Sequence, residues 1–149
     1  MTKINWAKFI IGGLIATVIL FVTDGVLHEH LLHQDWEAVY SALGGHEATT
    51  SHGVAIVYFL IFELGRGFIS LLIYVLMRPF FGAGPKTAVL AAVVGWIAFS
   101  GTGPAQFIPL GFYSTVLWGK VAGFHLITTV VAVLAGAALY KDAATSSNE

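Results

Sequence analysis

The stretch Phe9-Ile-Ile-Gly-Gly-Leu-Ile-Ala-Thr-Val-Ile-Leu-Phe-Val22 carries no charge, and after Thr23 and Asp24 the apolar character resumes at Gly25-Val26-Leu27. A helix needs about 20 apolar residues to cross the hydrocarbon layer of a bilayer. The run therefore predicts a spanning helix over residues 9–31, interrupted by Asp24 and His28. Lys3 and Lys8 ahead of it resemble the start of a signal peptide. The run is too long for one, however, and no small-x-small cleavage site follows. It is expected to remain as the first span.

Three further runs repeat the pattern. Residues 54–77 form the second expected span, interrupted by Glu63 and Arg66. The third covers 87–103 and is clear as far as Ser100, where Gly101-Thr102-Gly103-Pro104 breaks it. The fourth covers 120–140 and contains His125. The composition agrees: of 149 residues, 57% are hydrophobic and only 10% charged, with a mean hydropathy of +0.83. Roughly a quarter of a soluble domain is charged, so this chain could not cover a water-facing surface. The expected fold is an all-α four-transmembrane-helix bundle forming one membrane domain over residues 1–149.

Orientation follows from lysine and arginine, which favour the cytoplasmic side. Lys3, Lys8, Arg78, Lys86 and Lys141 fall on one side, whereas the other holds Lys120 against Asp35, Glu37 and Glu47. Both termini are expected in the cytoplasm, in the cell (inner) membrane. The segment Arg78-Pro-Phe-Phe-Gly-Ala-Gly-Pro-Lys86 reads as a tight hairpin between spans two and three. Over residues 32–43, Leu32, Trp36, Val39, Tyr40 and Leu43 share one helical face, while His30, Gln34, Glu37 and Ser41 share the other. That pattern predicts an amphipathic helix along the outer interface, ended by Gly44-Gly45. Residues 105–119 are apolar but interrupted by proline. They read as a second interfacial helix or a re-entrant piece, with a longer fourth helix starting near Phe112 as the alternative. Ala88, Ala91, Ala92 and Gly95, with Ala132 and Gly136, lie at spacings that favour close helix packing. The polar tail 144–149 is expected to be disordered.

Polar side chains inside the spans are the functional signal. Counting from the cytoplasmic ends, Asp24 lies some 14 residues beyond Ile10, Glu63 as far from Met77, Gly101 as far from Thr87, and His125 some 15 from Tyr140. At a rise of about 1.5 Å per residue all four reach roughly 21–23 Å, in the outer half of a core about 30 Å thick. His28 stands one turn beyond Asp24 on the same face. On the second span Glu63, Arg66, Ser70 and Tyr74 form a polar stripe that should point into the bundle, because an ionised group facing lipid costs at least a few kcal/mol. Arginine keeps its proton there and needs a carboxylate, either Glu63, Asp24 or both.

These residues carry several readings. Asp24, His28, Glu63 and His125 offer two imidazoles and two carboxylates, a set that suits zinc, iron or manganese. The same groups could relay protons, with transport as the consequence. A heme held by His28 and His125 is a weaker alternative. Glu29 and His33 read as a solvated pair facing the loop, and His30, His46 and His52 as loop histidines. Against these stands a purely structural network, in which the chain is an accessory subunit of a larger membrane complex. A membrane metalloenzyme is a further alternative. The expected partners are the lipid bilayer and either further copies of the chain or a larger complex. A net charge of −1 and the lack of a dense basic run exclude nucleic acid. Without cysteine there is no disulfide, thiolate metal site or cysteine nucleophile, and no GxSxG motif points to serine hydrolysis.

Overall fold

Asn5 starts the first helix: its side-chain oxygen accepts the Lys8 N–H at 3.2 Å, satisfying one of the free amides of a helix N-terminus. Helix α1 spans Trp6–Val26, three residues ahead of the expected start because of this cap. The computed structural model describes residues 4–42, 44, 51–112 and 114–140. The expectations for Lys3, Leu43, Gly45, His46, Glu47, Lys141 and the tail 144–149 lie outside the described residues. After α1 a π-helical turn covers Leu27–Leu31, followed by α2 (His33–Ala42), α3 (His52–Phe81) and α4 (Pro85–Trp96). A second π-helical turn, Ile97–Gly101, and a 3-10 turn, Pro104–Phe107, lead to α5 (Thr115–Leu139). There is no strand among the described residues.

Four segments are long and apolar enough to cross a membrane: Trp6–Leu31, Gly53–Phe81, Pro85–Phe107 and Thr115–Leu139. Their bounds differ from the sequence expectation where caps decide them. The hairpin is shorter than residues 78–86, because α3 runs through Pro79 and ends only at Gly82. Gly82 takes φ +80°, a conformation open to glycine, and its N–H reaches Arg78 O at 2.9 Å. Pro85 opens α4 at a position that needs no N–H. The Thr87 hydroxyl donates to Gly82 O at 2.7 Å and closes the turn. At the other end Ser114 caps α5, its oxygen accepting the Leu117 N–H at 3.1 Å. Residues 105–119 are therefore divided between the 3-10 turn, further turns and the start of α5. The fourth helix begins at Thr115, close to the alternative of a longer helix starting near Phe112.

Helix α1 packs against α3 and α5, α4 packs against the same two, and α3 meets α5 across the diagonal. Small residues set these distances. A Cβ on Gly12 would lie 2.7 Å from Gly136 O, and one on Gly136 the same distance from Gly12 O. A Cβ on Gly95 would collide with the Ser70 hydroxyl. Ala88, Ala91, Ala92 and Ala132 are wholly buried, so the small-residue spacing of the third and fourth runs does mark helix contacts. The outward faces are apolar: Val18, Ile61, Leu76 and Ile127 are all more than half exposed.

The amphipathic pattern over residues 32–43 yields α2, but its apolar face has a protein partner. Trp36 and Val39 pack with Leu27, Leu32, Leu117, Val121 and Phe124 at the end of the bundle, while Tyr40 stays exposed. Lys120 reaches Asp35 at 2.8 Å and ties α2 to α5.

Candidate functional site

Arg66 on α3 has no exposed surface, and the polar side chains of three other segments gather around it. Its two terminal nitrogens donate to Asp24 on α1, Nη1 to Oδ2 at 3.0 Å and Nη2 to Oδ1 at 3.2 Å. This is the two-pronged match of guanidinium to carboxylate that lysine cannot make. Its Nε lies 3.1 Å from Glu63 Oε2, three residues back on the same helix, close enough for charge attraction but without hydrogen-bond alignment. The sequence left open whether Glu63 or Asp24 would partner the arginine, and both do.

His125 on α5 completes the cluster. Its Nε2 lies 3.1 Å from Asp24 Oδ2, again without hydrogen-bond alignment. Its Nδ1 is 3.0 Å from the Ser100 hydroxyl and 3.4 Å from Arg66 Nη1. With the proton on Nε2, the other ring nitrogen accepts from Ser100 and the histidine is neutral. His28 stands in the first π-helical turn, its ring 6.1 Å from that of His125 and 5.5 Å from that of Trp36. Asp24, Glu63 and His125, placed at one depth by residue counting, thus converge on one guanidinium.

Further along the stripe Ser70 is buried beside Gly95, and its hydroxyl has no hydrogen-bond partner among the described residues. Tyr74 is buried against Tyr140, with the Arg78 guanidinium over both rings at 5.7 and 5.0 Å. The Thr129 hydroxyl is likewise buried without a partner among the described residues. Glu29 and His33 do not pair as expected. The helical register breaks at Leu32, and His33 pairs instead with Glu37 at 3.3 Å on an exposed surface.

Ser100 was missed by the sequence reading because a lone serine in an apolar run carries no periodic or charge signal. Its neighbour Gly101, at the same depth as the acids, was the available hint. The two π-helical turns were missed as well. One presents His28 and the other Ser100, in keeping with the tendency of such turns to occur at functional sites.

A cavity of about 410 Å³ opens between α1 and α3. Phe21, Ile56 and Phe59 form its apolar wall, and Asp24, His28, Glu29, His30 and Glu63 supply its polar lining.

Two carboxylates face one guanidinium. With both ionised and the imidazoles neutral, the buried cluster holds one uncompensated negative charge and needs one cation. For a metal, Asp24, His28 and His125 can each aim one ligand atom at a common point, all within 4.8 Å of one another. Nitrogen and oxygen donors of this kind suit zinc, iron or manganese. Glu63 does not join them, since its Oε2 turns to Arg66. Both oxygens of Asp24 are already engaged by the arginine, which weakens it as a ligand. For a heme, His28 and His125 would be the ligands, and Asp24 Oδ2 stands 3.1 Å from His125 Nε2.

No family model matches the chain, and comparison with curated proteins and with solved structures finds no match either.

Proposed function

We propose that this chain is a four-span protein of the cell's inner membrane, with both termini cytoplasmic, whose buried cluster of Asp24, Glu63, Arg66 and His125 binds a proton and relays it as part of transport. The observation that carries the reading is the charge count around Arg66: two carboxylates converge on one guanidinium that has no exposed surface. A proton is the smallest cation that neutralises the excess, and it needs no coordination shell. Groups able to hand it on lie on both sides. His125 and Ser100 contact each other at 3.0 Å. Asp24, His28 and Glu63 border the cavity. In the other direction Ser70 and Tyr74 follow Arg66 at helical spacing along α3, and both are buried, as are Thr129 of α5 and Tyr140 at its C-terminal end. Intramembrane carboxylates and histidines are the usual carriers in proton pathways. The described basic residues support the orientation, with Lys8, Arg78 and Lys86 at the end away from α2.

The test is proton entry into proteoliposomes that enclose a pH-sensitive dye, driven by a potassium diffusion potential. Flux above that of empty vesicles is expected, and its loss in Asp24→Asn and Glu63→Gln. Absence of flux from the intact protein would overturn the relay.

A second reading rests on the convergence of Asp24, His28 and His125. In it the excess charge is met by zinc, iron or manganese. Metal analysis of the detergent-purified protein separates the two. One metal per chain, lost in His28→Ala, supports the metal centre, and its absence leaves the proton. If neither proton nor metal binds and the chain purifies with a stoichiometric partner, the cluster is structural and the chain is an accessory subunit.

A further inference from the structure

We infer that the cavity between α1 and α3 is a binding site for a lipophilic organic cation, whose charge takes the place of the proton at the cluster. The inference deepens the reading that the cluster requires one cation, and rests on it. Three observations carry it. The cavity holds about 410 Å³, within the range of small-molecule sites. Its wall is apolar and aromatic, with Phe59 59% exposed on the outer surface of α3, so the opening lies among residues that suit an apolar body. Its polar lining includes Glu63, only 2% exposed, whose Oε2 lies 3.1 Å from Arg66 Nε without hydrogen-bond alignment.

The chemistry selects the ligand. An anion would meet Asp24 and Glu63 directly, while the guanidinium that could attract it is fully buried and held by Asp24. A small hydrated inorganic ion would leave the apolar surface of Phe21, Ile56 and Phe59 uncovered. A cation with an aryl or alkyl body satisfies both halves. Its charge meets the carboxylates, and its body covers the apolar wall. Phe21 and Phe59 line the cavity, and aromatic rings attract cations.

Gly25 supplies a clean test. It lines the cavity, and a Cβ built on it meets no atom within 4 Å. Gly25→Leu therefore places a bulky apolar side chain in the cavity, and it replaces a helix-weakening residue near the end of α1. The probe is radiolabelled tetraphenylphosphonium, measured by equilibrium dialysis against the full chain in detergent. Saturable binding at one per chain is expected for the natural protein. Gly25→Leu should weaken it by about tenfold or more, the loss of roughly 1.4 kcal/mol of contact. Phe59→Ala should weaken it about three- to fivefold through the lost ring. Proton flux is measured on the natural protein in parallel, so that the relay and the cation site are scored separately. No saturable binding to the natural protein, or unchanged binding by Gly25→Leu, would overturn the cation site. If flux is present in either case, the proton relay stands without it. If flux is absent while binding is present and blocked by Gly25→Leu, the relay falls and the cation site stands.

Discussion

A guanidinium keeps its charge in any protein interior, and Arg66 has no exposed surface, so its partners are not equivalent under substitution. Asp24 holds it with two aligned hydrogen bonds, whereas Glu63 approaches only Nε and is not aligned. Breaking a buried pair by removing one member costs about 3–5 kcal/mol, because the other is left unpaired. Asp24→Ala should fall in that range, while Glu63→Ala should cost less because the two-pronged pair survives. Unfolding of both variants in mixed detergent micelles measures the order, and equal losses would show that Glu63 holds Arg66 as firmly as Asp24 does. Counting residues from the helix ends was enough to bring Asp24, Glu63 and His125 to one depth, since a helix has a fixed rise. It could not say which carboxylate takes the arginine. That depends on side-chain rotamers and on how α1 is rotated against α3, neither of which has a periodic trace in the sequence.

The helices themselves were legible because each apolar run is long and uninterrupted by a dense charge. Their ends were less so. In the sequence Lys120 marks the expected boundary of the fourth span, yet it sits inside α5, where its long side chain reaches Asp35 at 2.8 Å. The true boundary is the Ser114 cap. The amphipathic face of α2 was visible, but not that Leu117 and Phe124 would cover it. The π-helical turns insert a backbone shift that no composition marks. Small residues were legible on α4 and α5 but overlooked on α1, where Gly12 meets Gly136 backbone to backbone. A glycine pair so placed predicts opposite outcomes for one chemical change. Gly12→Ala should destabilise by about 1–3 kcal/mol through overpacking. Gly65→Ala, where a Cβ meets nothing within 4 Å, should stabilise α3 by about 0.5–1 kcal/mol. Thermal unfolding of the two variants in the same detergent checks the contrast. Destabilisation of both to the same degree would contradict the close approach of α1 and α5.

At the scale of the molecule, four long helices with apolar outer faces enclose the polar cluster around Arg66, and the proposed four-span topology puts the Gly82–Gly84 turn and α2 on opposite sides of the membrane. The chain lacks cysteine, so single substitutions Ala83→Cys and Ala42→Cys can be labelled without background. In intact cells an impermeant maleimide should modify the cysteine at position 42 and spare the one at position 83. Labelling of both from outside would break the topology. The central claim, that the cluster exchanges a proton inside the membrane, is tested most directly by infrared difference spectra of the lipid-reconstituted protein across a pH titration. The account predicts a carboxylic-acid carbonyl band that appears and disappears with pH, shifts in heavy water, and is lost in Glu63→Gln or Asp24→Asn. A spectrum with no titrating carboxyl band, or with one that survives both substitutions, would contradict it.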